Sequence, residues 1–254
     1  MDKRFNFLDV KISVINFDEA FQCILARNFP TPGYICFPDA SVVAKASEDH
    51  ELALILNRAF LTMPDGKPSQ LAAHLQGHKD VTTVSGYHLC TALLTTGLSH
   101  YFYGGDEVVI QKIRTKIKSR FPEANVLGFR SPPFLNKEDI PTSMLIQKDI
   151  QEINLLSPDL VWIGISSPKQ DYLMSHFSPL LNKSLMLGVG GVFLYFADES
   201  LISPEWVKKA GLRWMFRLVK EPARLWPKYY GTFRFLLKNF GFFLNAFLHK
   251  KSAS

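Results

Sequence analysis

The sequence predicts an α/β fold, in which a mostly parallel sheet is flanked by helices. Apolar segments of strand length alternate along the chain with segments of helical periodicity. The chain has 254 residues, 47% of them hydrophobic, which suffices for one sizeable core and an additional segment. Such alternation indicates a parallel sheet, because each helix that connects two parallel strands packs on a face of the sheet.

Six apolar segments are predicted as strands, and most run into a loop of polar or glycine residues. With their loops, they are residues 34–39, 60–66, 100–105, 124–134, 160–170 and 184–191. The most apolar stretch, residues 185–197, is short and broken by glycines. It is predicted as a buried strand and loop, because a membrane-spanning helix needs about 20 apolar residues.

Five segments between these strands are predicted to contain helices. They are residues 41–59, 68–77, 106–122, 138–159 and 171–181. Ser41 is the predicted N-cap of the first helix. Asp106 and Glu107 begin the third, where acidic side chains interact favourably with the helix dipole.

The charge of the chain changes sharply near residue 200. Residues 205–254 contain 11 Lys/Arg and two acids, whereas residues 1–204 contain 18 Lys/Arg and 21 acids. The overall charge of +6 therefore comes from the C-terminal part. We predict an α/β core at residues 1–200 and a basic, aromatic-rich helical appendage at residues 201–254.

The predicted appendage combines basic residues with 12 of the 33 aromatic residues of the chain. Arg213, Arg217, Lys220 and Arg224 recur at helical spacing, although Pro222 limits regular helix between them. A charge run is usually a solvated helix face, but such a face rarely carries this many Trp and Phe. A lipid interface and a nucleic acid both suit this composition.

Residues that would hold a metal are not apparent in the sequence. Cys23, Cys36 and Cys90 fit no metal spacing and suggest reduced, buried thiols in a cytoplasmic protein. His74 and His78 stand four residues apart, but no zinc motif surrounds them. The chain also lacks the Asp-x-Asp pair that would hold a divalent cation against a diphosphate. We therefore predict no metal and no cofactor.

Ligands of parallel sheets bind beyond the carboxyl ends of the strands, so the loops after the strands carry the candidate sites. Asp65 lies in MPDGKP, residues 63–68. By itself this segment favours a turn, since Pro, Asp and Gly are common turn residues. The alternative is a carboxylate that accepts a proton from a hydroxyl group.

Three other strand-end loops could contact a ligand. Lys169 could neutralise phosphate and Gln170 could hydrogen-bond a sugar or base, although a solvated loop is equally compatible with that segment. Residues 188–191, GVGG, would let backbone amides approach a ligand closely. Gly104 and Gly105 favour a turn over a phosphate loop, because acidic residues already occupy the helix start that follows.

Taken together, these segments resemble the WecG/TagA/CpsF family of glycosyltransferases over about residues 34–236. The resemblance rests on ordered motifs, namely MPDGKP, YFYGG, GISSPKQD, GVGGVF and GLRWMFRLVKEPARLWPKY. It implies a Rossmann-like core and a C-terminal appendage that meets the membrane. It also implies inverting, metal-independent transfer of a sugar from a nucleotide-sugar to a saccharide on a polyprenol diphosphate, which favours lipid over nucleic acid for the appendage.

The resemblance also implies roles for individual residues. Asp65 matches the proposed catalytic base of the family. Arg217 and Arg224 match arginines thought to hold diphosphate, and Lys228 stands where a further arginine is common. The positions predicted to bind the donor or substrate are Asp39, Gly104, Gly105, Ser167, Lys169, Gln170, Gly190 and Gly191.

Several positions depart from the family pattern. Phe37 and Asp39 replace a common Thr and Asn, and Thr83 stands where an Arg is usual. Leu194 replaces an Asp, and Arg213 replaces a Glu. Several of these positions line or border the family's pocket, so the departures indicate a different sugar donor or acceptor, or a loss of activity.

The resulting prediction is a cytoplasmic glycosyltransferase, peripheral at the inner face of the membrane, that builds a lipid-linked intermediate of a cell-envelope glycan. Its partners would be a nucleotide-sugar, most simply a UDP-sugar, a polyprenol-diphosphate-linked sugar and the membrane surface, but no nucleic acid. Exposed aromatics in the appendage would equally suit a homo-oligomer. The alternatives are a catalytically inactive sugar-nucleotide-binding homologue and a nucleic-acid-binding protein that uses its basic tail.

Overall fold

The computed structural model describes residues 3–134 and 136–238. Six parallel strands form the main sheet in the order β4-β3-β8-β7-β5-β6, and β1 and β2 form a separate antiparallel pair. The strands are β1 Arg4–Phe7, β2 Val10–Ser13, β3 Gly33–Cys36, β4 Leu61–Thr62, β5 Ser99–Gly104, β6 Asn125–Arg130, β7 Leu160–Gly164 and β8 Leu185–Gly188. The predicted α/β, Rossmann-like fold class is confirmed, and the β1–β2 hairpin is an addition to it.

Helices cover both faces of the main sheet and continue to the end of the described chain. They are α1 Phe17–Leu25, α2 Ala40–Ala46, α3 His50–Arg58, α4 Lys67–Leu75, α5 Gly86–Leu93, α6 Glu107–Arg120, α7 Met144–Leu156, α8 Lys169–Phe177, α9 Val192–Ala197, α10 Glu205–Lys209, α11 Arg213–Lys220 and α12 Pro222–Lys238. Two short 3₁₀ helices span Lys137–Asp139 and Glu199–Leu201.

The predicted helix at residues 41–59 is wrong as a single element. It is two helices, α2 and α3, because Asp49 caps a new start by accepting from the backbone N–H of Leu52 at 3.1 Å. The predicted N-cap Ser41 is also wrong, since Asp39 caps α2 through the N–H groups of Ser41 and Val42. By contrast, Asp106 is the N-cap of α6 and accepts from Val109, close to the predicted boundary.

The prediction of a strand and loop for residues 185–197 is correct only for its first part. After β8 and a glycine turn, the chain forms α9. Its apolar side chains Val192, Phe193 and Phe196 are buried against the sheet. The segment is thus a strand, a turn and a short buried helix.

Two apolar clusters fill the two faces of the sheet. Tyr101 and Tyr103 lie on the face covered by α7 and α8, whereas Phe102 and Trp162 lie on the face covered by α5, α6 and α9. The alternation follows from the period of two along each strand. All three cysteines are buried free thiols, as predicted.

The C-terminal helices turn back onto the core. Helix α12 packs on α2. Leu225 of α12 and Val207 of α10 are both buried. Trp214 of α11 meets Tyr229 of α12 edge to face, with ring centroids 6.1 Å apart. Within the described ranges, none of the helices has the length and apolar character that crossing a bilayer would require. Residues 239–254 of the predicted appendage lie outside the described residues.

Candidate active site

The carboxyl ends of the central strands bring the predicted site loops to one edge of the sheet. Strand β3 lies between β4 and β8, and β7 is the next neighbour of β8. The loops that carry Asp39, Asp65, Ser167 and Gly190 therefore follow four adjacent strands. The order of strands in the sheet, rather than the order along the chain, makes them neighbours.

Gln170 forms a buried polar corner at this edge. Its Nε2 donates to the carbonyl oxygen of Gly188 at 2.7 Å and to the hydroxyl of Ser167 at 2.9 Å. Among the described residues its Oε1 has no hydrogen-bond partner, although the side chain is 2% exposed. A Cβ on Gly190 would lie 3.2 Å from this oxygen. Because buried acceptors are normally satisfied, Oε1 is suited to accept from a ligand hydroxyl or amide.

Asp171, next to Gln170, is a buried carboxyl group with 1% exposure. Burial raises its pKa to about 6, opposed by hydrogen bonds from Ser167 and Cys36, and the nearby Asp39 carboxylate raises it further. The side chain adjoins the loop that holds Gln170, so its protonation state affects the electrostatics of the site.

Glycines shape the strand ends for two different reasons. Gly190 has φ 52°, in the left-handed region that favours glycine. Gly104 has φ 134°, and a Cβ there would lie 2.6 Å from the carbonyl carbon of Gly164. Gly105 donates to Gly164 at 3.1 Å. Close packing of β5 on β7 thus accounts for Gly104 and Gly105, while Gly190 and Gly191 border the site.

Arg217 of α11 reaches this glycine turn from the C-terminal segment. A Cβ added to Gly191 would lie 3.4 Å from Nη2 of Arg217. The guanidinium of Arg217 lies 5.5 Å from the ring centroid of Tyr195. The side chain is 17% exposed, pairs with Glu221 at 3.8 Å, and has a buried Nε without a hydrogen-bond partner in the described structure. A largely buried guanidinium with unused donors is a natural anion ligand.

Glu221 joins Arg217 to Arg224, since its carboxylate also pairs with Arg224 at 2.6 Å. Arg224 is 43% exposed and lies on the first turn of α12. Both predicted diphosphate-binding arginines are therefore held by one acid near the glycine turn. The side chain of Lys228, the third predicted member, lies outside the described residues.

Asp65 lies in the turn between β4 and α4. Its backbone N–H donates to the carbonyl oxygen of Met63 at 2.9 Å, and Gly66 follows with φ 88°. Its Oδ1 is 3.7 Å from Nη1 of Arg213, the first residue of α11. Asp65 is thus both a turn residue and a carboxylate that faces a basic helix.

Two other predicted ligand residues have contacts within the protein. Asp39 accepts from the backbone N–H groups of Ser41 and Val42 at 3.0 and 3.1 Å as the cap of α2, while interacting electrostatically with Arg217. Lys169 begins α8, and its Nζ lies 3.9 Å from the ring centroid of Phe134. Both remain at the carboxyl edge of the sheet.

Two tyrosines complete the site and were missed in the sequence. Tyr195 interacts electrostatically with Arg217, Arg213 and Asp65, and burial raises its pKa. Burial also raises the pKa of Tyr229 to about 12, against the lowering effect of Arg217. Both tyrosines lie inside the sequence motifs that form α9 and α12, and this was the signal that could have identified them. Aromatic residues are also typical of protein cores, so only the packing of the helices shows that these two lie at the site.

The described part of the chain contains no group of three or more His, Cys, Asp or Glu side chains that could hold a metal ion.

Buried His100 accepts a hydrogen bond from Trp162 Nε1 at 3.0 Å. Burial lowers its pKa to about 4, so this imidazole is neutral at physiological pH.

Comparison with known proteins places these residues in a family. A sequence model of the glycosyl transferase WecG/TagA/CpsF family matches residues 5–252. The chain belongs to this family. The predicted resemblance is therefore confirmed, and the protein is a glycosyltransferase.

Three relatives of this glycosyltransferase share the name N-acetylglucosaminyldiphosphoundecaprenol N-acetyl-beta-D-mannosaminyltransferase. The chain is 25% identical to that of Bacillus subtilis (strain 168) over 183 residues, 70% of this chain and 68% of the relative. It is 24% identical to that of Bacillus spizizenii over 195 residues, covering 75% and 72%. It is 21% identical to that of Staphylococcus aureus (strain MW2) over 238 residues, covering 89% and 90%.

The departures from the family pattern have different surroundings in this glycosyltransferase. Phe37 is buried in the core cluster with Met63 and Val189, whereas Thr83 and Leu194 are half-buried. Arg213 lies 3.7 Å from Asp65, the predicted catalytic base. The substitution with the most direct bearing on chemistry is thus the one on α11.

Proposed function

We propose that this glycosyltransferase moves a sugar from a UDP-sugar to a saccharide carried on a polyprenol diphosphate, with inversion at the anomeric carbon and without a metal. The observation that carries the proposal is the approach of Arg217 to Gly191 at the carboxyl edge of the sheet. It joins a guanidinium to a glycine turn beside the unsatisfied Gln170 Oε1. The acceptor class follows from the names of the relatives.

The donor would lie across the ends of β7 and β8. Arg217, Arg224 and Lys228 would hold its diphosphate together with the backbone at Gly190 and Gly191. Preorganised guanidinium and amide donors stabilise charge that develops on a leaving diphosphate, which is the work that a metal ion does in other transferases. Gln170, with Ser167 and Lys169 beside it, would fix the sugar or base.

Asp65 would act as the general base. It accepts the proton of the acceptor hydroxyl while that oxygen forms a bond to the anomeric carbon of the donor. The bond from this carbon to the UDP oxygen breaks, and its electron pair leaves with UDP. Attack opposite the leaving group inverts the configuration, and the half-buried position of Asp65 keeps it accessible to the hydroxyl.

The C-terminal helices would bring the enzyme to its lipid-linked acceptor. Trp206, Trp214, Trp226 and Tyr230 are all more than half exposed, and basic residues are interspersed with them. Aromatic and basic side chains together favour an anionic lipid interface. In this proposal the C-terminal helices lie at the cytoplasmic face of the membrane, with the core beside them.

A donor screen tests the proposal. The full chain is mixed with a polyprenol-diphosphate-linked saccharide and a panel of UDP- and GDP-sugars in EDTA, and release of nucleoside diphosphate and mass gain on the lipid are followed. One productive UDP-sugar in EDTA is the expected result. Donor binding without transfer to any acceptor would favour an inactive homologue, and an absolute requirement for a divalent cation would contradict the metal-independent mechanism.

A further inference from the structure

The loop after β6 crosses the carboxyl edge of the sheet towards the candidate active site. The hydroxyl of Ser131 donates to the carbonyl oxygen of Gly105, just after neighbouring β5, at 2.9 Å. Three residues later, Phe134 lies against Lys169, the first residue of α8, with 3.9 Å between Nζ and the ring centroid. The loop therefore passes over the end of β5 and meets the segment that joins β7 to α8.

Phe134 points into solvent at this position. Its side chain is 89% exposed, the highest value among the large apolar side chains of the described residues. Pro132 and Pro133 precede it, and their fixed φ angles restrict this stretch of chain, so that less conformational entropy is lost when it binds a surface. Single exposed apolar residues are common, so the position of Phe134 has to indicate its use.

The direction of α7 distinguishes the two edges of the sheet. Helix α7 begins after this loop and ends before β7, so it runs from the carboxyl edge back to the amino edge, as a connection between parallel strands must. Met144, its first residue, is 75% exposed at the same edge as Phe134. Leu155, near its other end, is 86% exposed at the opposite edge.

The C-terminal helices meet the carboxyl edge on the other side of the candidate site. Arg217 of α11 lies against Gly191 after β8, and α12 packs on α2, which follows β3. Phe134 lies instead beside the ends of β5 and β7. A saccharide on a polyprenol diphosphate has its lipid chain in the bilayer, so a membrane that delivers it to this edge lies close to both sides of the site.

We propose that Phe134 is a second membrane contact, which enters the lipid interface on the side of the site opposite the C-terminal helices. The inference rests on the proposed function, in which those helices bind the membrane. Aromatic side chains favour the interface between lipid and water. Two separate contacts bind more tightly than one, because the first raises the effective concentration of the second, and together they turn the carboxyl edge towards the bilayer.

Charges near the loop make this contact apolar rather than ionic. Asp106 and Glu107 follow β5, and Glu138 and Asp139 follow Phe134; all four are exposed. Anionic headgroups repel these acids, so attraction to phosphate does not explain binding here. We therefore expect the contribution of Phe134 to persist in salt, whereas attraction through the basic C-terminal helices weakens as salt screens it.

Binding of the full chain to phosphatidylglycerol-containing vesicles without any polyprenol acceptor tests the inference. Phe134→Ser should weaken co-sedimentation about three- to tenfold, because an exposed ring no longer leaves water, and the loss should remain at about 0.5 M salt. Leu155→Ser is the matched control and should bind as the parent does, since Leu155 has similar exposure at the amino edge.

A second variant separates insertion of Phe134 from its contact with Lys169. Phe134→Leu keeps an apolar side chain but removes the ring that lies over the ammonium group, so it should retain most of the vesicle binding that Phe134→Ser loses. Affinity for UDP and the thermal transition should stay unchanged in both variants, which also shows that they are folded.

Three results would overturn the inference alone. The first is vesicle binding by Phe134→Ser that equals that of the parent or of Leu155→Ser. The second is a loss of UDP affinity with normal vesicle binding, which would assign the ring to the donor. The third is a changed oligomeric state with normal vesicle binding, which would assign it to a second copy of the chain. A parent chain that does not bind vesicles would instead contradict the membrane contact in the proposed function, so the two failures are distinguishable.

Discussion

The guanidinium of Arg217 lies against the backbone of Gly191, where a Cβ would be 3.4 Å from Nη2. One residue belongs to the C-terminal helices and the other to the turn after β8 in the core. The site is thus shared between the two parts of the chain, since neither supplies both the glycine turn and the basic groups.

Replacing Arg217 with Gln should weaken UDP binding about tenfold to a hundredfold, because hydrogen bonds to charged groups contribute about 1.5–3 kcal/mol. Lys220→Gln is the control, since Lys220 lies exposed on the same helix and its loss should change affinity little. Titration calorimetry with UDP measures both variants. Unchanged affinity in Arg217→Gln would remove this residue from the diphosphate site.

Asp65→Asn should lower transfer by about a hundredfold or more, because an amide cannot accept the proton of the acceptor hydroxyl. Donor affinity and the thermal transition should change little, as Asp65 is partly exposed at 29%. Steady-state turnover with a productive donor provides the measurement, and Asp80→Asn on an exposed loop serves as the control. Near-normal turnover in Asp65→Asn would require another base.

Asp171→Asn should change how stability depends on pH. The folded-state pKa of about 6 lies above the ordinary value of 3.8, so the folded form binds this proton more tightly than the unfolded form. Stability linked to Asp171 is therefore complete below about pH 4 and is lost as pH rises through about 6. The loss at neutral pH is about 3 kcal/mol by this linkage.

The neutral Asn variant does not undergo this loss, so its stability relative to the parent should rise between pH 4 and 7 and then level off. Urea unfolding at several pH values measures this difference. Any lost hydrogen bond to Ser167 or Cys36 lowers stability by a similar amount at each pH, so the slope rather than the absolute value tests the prediction. A difference that is constant with pH would show that burial does not perturb this carboxyl group.

Replacing Trp206 and Trp226 together with Ser should weaken binding to anionic vesicles by about tenfold, since both indoles are more than 60% exposed and would enter the lipid interface. Co-sedimentation with phosphatidylglycerol-containing vesicles measures this. Leu155→Ser is the control, because Leu155 is 86% exposed on α7 of the core. Equal loss in both variants would show that binding is not specific to the C-terminal helices.

Local patterns predicted the parts of this protein that depend on neighbouring residues. Alternating apolar segments predicted the six strands of the main sheet, and the acidic start at Asp106 predicted the beginning of α6. The same reasoning treated residues 41–59 as one helix, because helical periodicity continues through the break that Asp49 caps. Helix α9 was missed because a short apolar helix resembles a buried strand.

The candidate site was predictable only in part. The polar loops at strand ends identified Asp65, Gln170 and Gly190 by position, since ligand sites in parallel sheets follow the strands. Tyr195 was not identified, and Arg213 was noted only as a departure from the family pattern, without a role in the site. Their roles depend on contacts with residues that are far apart in the chain.

The sequence by itself determined the fold class, the family and the list of motifs, because periodicity, turn residues and ordered motifs are properties of the linear chain. Only the tertiary structure decided that β8 lies between β3 and β7 and that α11 places Arg213 at Asp65 and Arg217 at Gly191. The physical reason is that strand order and helix docking are selected by burial of apolar surface between distant segments. Such long-range packing leaves no local signal in the residues that it brings together.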